Sequence, residues 1–128
     1  MPAKFSVNSY RKKVFVFEFP FTYPSLNQIN SMGWRKRKKA HDEFQEQVGK
    51  HLLAHKIKFD GKVKIYIDLF FKKKQRRDKD NYTPKWLLDC LVKRGILKDD
   101  SSDVIPGVAD IEFFEGAGRT VVKIEELL

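Results

Sequence analysis

The chain has 128 residues, 41% of them hydrophobic and 34% charged, with a formal net charge of +9. That is enough chain to bury its own core and too apolar for disorder to be the default; no apolar run approaches the roughly 18–20 residues of a membrane span. The single cysteine, Cys90, excludes an intrachain disulfide and fits a reducing compartment, and no apolar stretch behind the first basic residues suggests a secretory signal, so a soluble cytoplasmic protein without membrane contact is expected.

Residues 1–12 read as a loose N-terminal arm ahead of a single domain over 13–128. Lys13–Phe19 alternates, with Phe15, Phe17 and Phe19 on one side and Val14, Val16 and Glu18 on the other, which predicts a strand. Pro20 and Pro24 end it and open a polar loop that runs to Gly33, a length that often goes with function. Phe44, Val48 and Leu52 recur at every fourth residue and predict a helix over 35–55. After Gly61, residues 62–71 alternate again, Val63, Ile65, Ile67, Leu69 and Phe71 against Lys64, Tyr66, Asp68 and Phe70, the clearest strand in the chain. A basic run and Asp78-Lys79-Asp80-Asn81 follow as a loop or strand end. A second helix is expected with Thr83 as its N-cap and Pro84 in the first helical position, where a missing N–H costs nothing. Gly95 stops it; Leu87, Leu88, Leu91 and Val92 form its core stripe, and Lys85, Asp89 and Lys93 a polar stripe beside it. Residues 108–114 and 119–126 read as two strands around a glycine-containing turn. The order strand-helix-strand-helix-strand-strand predicts an α+β two-layer sandwich, helices packed on one mixed β-sheet.

The positive charge is not spread evenly. Residues 1–40 hold nine basic residues against Glu18, and residues 61–77 hold seven against Asp68, whereas residues 101–128 hold two against six acids. Two blocks stand out, Arg35-Lys36-Arg37-Lys38-Lys39 and Lys72-Lys73-Lys74-Gln75-Arg76-Arg77. Either block alone is compatible with a solvated surface; two in so short a chain point to a polyanion, and nucleic acid ahead of membrane or acidic protein.

Acids placed directly after the second block would repel phosphates unless a cation lies between them. Hydrolysis of a phosphodiester needs charge neutralised at phosphorus and a water activated, and carboxylate-held divalent metal supplies both. Asp78 and Asp80, two residues apart in extended chain, would point the same way. Asp100 is a candidate third ligand: a helix over 84–94 covers about 16 Å, and six extended residues cover about 20 Å in return, so Asp100 can come back to the helix start. Asp78 and Asp80 equally suit turn chemistry near a helix N-terminus, and Asp89 four residues after Lys85 is by itself an ordinary helix-surface pair. Three histidines lie on the first helix, His51 and His55 at helical spacing, without a metalloprotease motif. Cys90 has no histidine near it in sequence, which argues against a thiol nucleophile.

The ordered set Asp78-Lys79-Asp80-Asn81, Lys85, Asp89, Leu91, Gly95 and Asp99-Asp100, with Pro24-Ser25-Leu26-Asn27 upstream, resembles the RusA-type Holliday junction resolvases, endodeoxyribonucleases of phage and prophage type. The resemblance spans residues 14–126. It implies an α+β homodimer that depends on Mg²⁺, with Mn²⁺ as a substitute, and that nicks paired strands across four-way DNA junctions. It carries Asp78, Asp80 and Asp100 over as metal ligands and Lys85 as the catalytic lysine. The family usually has its lysine three residues after the asparagine; here Pro84 stands there, and one inserted residue displaces both Lys85 and Asp89. Lys79 occupies a position that tends to be apolar in the family.

The reading is therefore a metal-dependent, structure-selective endodeoxyribonuclease on branched DNA. Lys72, Lys73, Lys74, Arg76 and Arg77 would grip phosphates beside the site, with Asn81, Ser25 and Asn27 close by and Arg35, Lys36 and Arg37 holding a second DNA arm. The rivals are a basic DNA-binding module without catalysis and a related nuclease acting on RNA or other branched DNA.

Overall fold

The computed structural model describes residues 4–8, 12–52 and 56–127. Its strands are β1 (Lys4–Val7), β2 (Lys13–Phe19), β3 (Val63–Phe71), β4 (Asp110–Glu115) and β5 (Arg119–Glu126), and its helices α1 (Leu26–Asn30), α2 (Trp34–Lys50) and α3 (Lys85–Lys93). The strands form one mixed sheet in the order β1-β2-β5-β3-β4. Among the described strands β3 and β4 run parallel, and α3 lies in the connection between them; the other strand pairs are antiparallel.

The alternation that predicts the strands also sets their faces. Phe15, Phe17 and Phe19 of β2, Val63, Ile65, Ile67 and Leu69 of β3, and Val122 and Ile124 of β5 are all buried in one core. Phe44 and Val48 of α2 and Trp86, Leu87, Cys90 and Leu91 of α3 close that core from the same side. The opposite face, with Tyr66, Asp68, Phe70 and Lys123, carries no helix among the described residues and is half-buried. This is the expected α+β architecture of helices on a mixed sheet.

Several elements differ from expectation. Residues 4–7 of the supposed arm form β1, paired with β2 so that Phe5 faces Phe15; the remainder of that arm, except Asn8 and Lys12, lies outside the described residues. The loop after Pro20 contains α1, and Ser25 starts it with a capping box: Ser25 Oγ accepts from the Gln28 N–H at 3.2 Å, and Gln28 Oε1 accepts from the Ser25 N–H at 2.8 Å. Two such bonds satisfy two backbone donors and make a five-residue helix possible. The first long helix ends at Lys50, and the predicted stretch 53–55 lies outside the described residues. Helix α3 begins at Lys85, with Pro84 at its boundary and no side-chain cap from Thr83. Its buried stripe is rotated: Trp86 and Cys90 are buried where Leu88 and Val92 are only half-buried. Gly95, at φ 76°, ends the helix in the left-handed conformation glycine adopts without cost.

Candidate active site

The functional loop leaves β3 at Phe71 and reaches α3 through a 3-10 turn over Lys79–Asn81. Aromatic packing fixes its far end. Tyr82 meets Tyr23, Phe71 and Phe113 edge-on, with ring centroids 6.3, 5.4 and 5.4 Å away. The buried Tyr23 hydroxyl donates to the Tyr82 carbonyl at 2.6 Å, and burial pushes the Tyr23 pKa upward. One residue earlier, Asn81 Oδ1 accepts from the Asn27 N–H at 3.0 Å. The Pro24–Asn27 corner and the acidic turn are therefore one unit, and a groove of about 550 Å³ opens between them, lined by Asn27, Asn30, Arg76, Asp78, Asp80 and Asn81 among others.

Asp78 is extended, but Asp80 lies in the 3-10 turn, so the two are not consecutive same-side residues of a strand. They nonetheless line the same groove. Both are exposed, and among the described residues neither forms a salt bridge. Lys79 between them turns away and pairs with Glu112 of β4 at 3.2 Å, which takes it out of competition for a cation.

Asp100 does return to the start of α3. Lys85 Nζ lies 2.8 Å from Asp100 Oδ2 and 3.0 Å from Asp89 Oδ1. The hydrogen bond from Lys85 holds the Asp100 carboxyl below the usual carboxylate range. Bonds to Asp100 and then to Asp89 keep the Lys85 ammonium above its own. The other Asp89 oxygen, Oδ2, is 3.3 Å from His41 Nε2 on α2. His41 stands edge-on to Trp86, with centroids 5.1 Å apart, and Gln45 Nε2 lies 3.3 Å from His41 and donates to the Trp86 carbonyl at 2.9 Å. A chain of polar contacts thus runs from inside the α2–α3 interface to Asp100.

Asp78 and Asp80 share one groove, and Asp100 shares a bond with Lys85. Among the described residues, no three histidine, cysteine, aspartate or glutamate side chains gather closely enough to hold a metal ion. The oxygen donors of Asp78, Asp80 and Asp100 suit a hard divalent cation in type. Lys85 engages Asp100 through Oδ2.

The other sequence-predicted residues divide. Lys72, Lys73, Lys74 and Arg76 are exposed on the loop. Arg77 is half-buried: its guanidinium lies 3.8 Å from the Phe71 ring centroid and donates to the Lys73 and Gln75 carbonyls at 3.1 and 3.3 Å, so it shapes the basic loop from within. Ser25 is 4% exposed and its hydroxyl caps α1; it belongs to the scaffold of the corner and not to its surface. Arg35, Lys36 and Arg37 are exposed on the first turn of α2, with Arg35 over the Trp34 ring at 5.3 Å and Arg37 donating to the Met32 carbonyl at 3.2 Å. Arg37 lies one helical turn before His41, on the stripe that approaches α3. His41, Gln45, Tyr23 and Tyr82 carry no sequence signal of this role; Asp89 carries one, its four-residue spacing from Lys85.

The chain matches the family model of endodeoxyribonuclease RusA over residues 27–125. It belongs to the RusA family. Membership makes it an endodeoxyribonuclease of the kind that resolves Holliday junctions. The RusA match takes in the acidic turn, Lys85, Asp89 and Asp100, as well as Asn27 of α1 on the other side of the groove, and leaves β1, β2 and Ser25 outside. No curated protein matches the chain significantly. None of its described helices is long and apolar enough to cross a membrane.

Proposed function

We propose that this RusA-family chain cuts four-way DNA junctions by paired, symmetric nicks in a divalent-metal-dependent reaction, with Asp78, Asp80 and Asp100 as metal ligands and Lys85 at the reacting phosphate. The observation that carries the reading is the pair Asp78 and Asp80, exposed in one groove with Arg76 and in no salt bridge among the described residues. Two such carboxylates beside a strongly basic loop repel DNA unless a cation joins them to it. Mg²⁺, or Mn²⁺ in its place, supplies neutralisation of phosphate charge and activation of water when bound.

The chain's own residues do the rest. Lys72, Lys73, Lys74 and Arg76 attract the backbone and position it over the groove. Lys85, once it leaves Asp100, donates to a phosphoryl oxygen whose charge grows in the transition state. Asp89 keeps the ammonium within reach of that oxygen. Arg35, Lys36 and Arg37 hold a second DNA arm, and a two-fold homodimer places two such grooves on opposed strands.

The test uses a labelled synthetic four-way junction and a matched linear duplex, with Mg²⁺ and with EDTA. Paired, metal-dependent nicks on the junction alone are expected, and Asp78→Asn and Asp80→Asn should bind the junction without cutting it. Tight junction binding with no cutting in Mg²⁺ or Mn²⁺ would refute catalysis and leave a binding module; undiminished cutting by either variant would remove that residue from the site.

A further inference from the structure

Beside the groove that holds Asp78 and Asp80 lies a second one, of about 190 Å³, which shares Gln75 and Arg77 with it. Its floor is aromatic. Phe114 of β4 is 46% exposed and stands directly across from Phe70 of β3 on the helix-free face of the sheet. Their rings stack, centroids 5.1 Å apart and planes within 23°. The Arg119 guanidinium lies 4.0 Å from the centroid of the Phe70 ring and is itself held by Glu18 at 3.2 Å. Phe70 is clamped, Phe114 rests against it, and the rest of the Phe114 surface lines the groove. Lys73, Lys74 and Arg77 share that lining against one acid, Glu115.

We infer that Phe114 is a stacking platform for a nucleobase that has lost its neighbour at the branch point, with Lys73 and Lys74 on the adjoining phosphates. The assignment rests on the junction reading above and adds a source for its selectivity. An intact duplex has every internal base stacked on both faces, so it has nothing to offer Phe114. Where strands exchange, stacking continuity is broken, and opening the branch to reach a phosphate exposes a base face. A flat aromatic ring recovers part of that loss, enough to change affinity about tenfold, and does so for any base. The shared Gln75 and Arg77 mean that a strand crossing the basic loop passes from the platform to the carboxylates.

The experiment compares wild type with Phe114→Ala, Phe114→Leu and Phe114→Trp. Affinities for a fluorescent four-way junction and a matched duplex are measured in EDTA, together with melting temperature and sedimentation velocity. Phe114→Ala and Phe114→Leu should both weaken junction binding about tenfold and leave duplex binding within twofold, whereas Phe114→Trp keeps junction affinity, because the effect follows the flat ring and not apolar bulk. Equal junction affinity in Phe114→Ala and wild type would overturn the platform while leaving the nuclease reading intact. So would a change in oligomeric state on Phe114→Ala, which would make the patch a contact between copies of this chain. A wild-type protein that binds junction and duplex alike would overturn the junction reading itself, and the platform with it.

Discussion

Replacing Asp89 by Asn separates what the Lys85 network does for the fold from what it does for cutting. The Lys85–Asp89 pair is an i, i+4 contact at 3.0 Å with the lysine side chain 65% exposed, so it is worth only about 0.3–0.5 kcal/mol. Its order, lysine before aspartate in the first turn of a helix, is the less favourable one against the helix dipole. The melting temperature should therefore fall by only about 1–2 °C. Catalysis is more sensitive. A lysine side chain has about 2 kcal/mol of rotamer entropy, and with Asp100 given up to the metal, Asp89 is the carboxylate left to restrict Lys85. Losing it returns up to all of that freedom, about 2 kcal/mol, which slows the chemical step by up to about thirtyfold. Asparagine keeps an oxygen for His41, so the α2–α3 contact survives. Single-turnover cleavage of a four-way junction at saturating protein measures the rate, and a double-mutant cycle with Lys85→Ala assigns it. Asp89→Asn should cost nothing further once Lys85 is gone. An equal slowing in the Lys85→Ala background, or a melting drop beyond about 5 °C, would show that Asp89 acts through the fold and refute the reasoning.

Ser25→Ala removes the hydroxyl of the capping box and should lower stability by about 1 kcal/mol, read as a shift of a few degrees in a thermal melt, with junction binding reduced no more than twofold because the side chain is buried. Asp68→Asn should stabilise the protein at neutral pH. Asp68 faces Glu112 directly across β3 and β4, and burial first, then the Glu112 charge, raises its pKa. A carboxyl that binds its proton more tightly folded than unfolded penalises folding where it is ionised, above the folded pKa, and the penalty disappears as pH falls below the ordinary carboxylate range. The expected gain is about 0.5 kcal/mol at pH 7, vanishing toward pH 4; a gain independent of pH across melts from pH 4 to pH 8 would contradict it.

Period-two alternation made β2, β3 and β5 legible to within a residue, since the inward side chains are large and apolar except Thr120, and the outward ones are only half-buried. The elements that escaped are those whose order comes from tertiary pairing. Lys4–Val7 has no buried residue of its own and is a strand because β2 offers it an edge. The start of α1 was readable, as Ser25 and Gln28 have capping-box spacing, but Pro20 and Pro24 dominate that stretch as loop signals. At the site, chain length allowed Asp100 to return to the head of α3, and the Lys85 contact places it there. The 3-10 turn at Asp80 did not, because nothing in Asp78-Lys79-Asp80-Asn81 distinguishes a strand end from a turn until Tyr82 packs against Phe71 and Phe113. His41 and Asp89 come from different helices, and only the packing of α2 on α3 joins them.

The sheet order places β5 between β2 and β3, although it follows every other strand along the chain. Without residues 119–126 the strands divide into two ribbons, β1 with β2 and β3 with β4, each with a bare inner edge. The pairing that joins them spans long stretches of sequence, as the Glu18–Arg119 contact does. Such late closure slows folding and leaves sticky edges exposed in the meantime. The basic loop and the acidic turn hang from β3 while the Asn27 corner follows β2, so β5, paired with both strands, ties the two sides of the groove into one sheet.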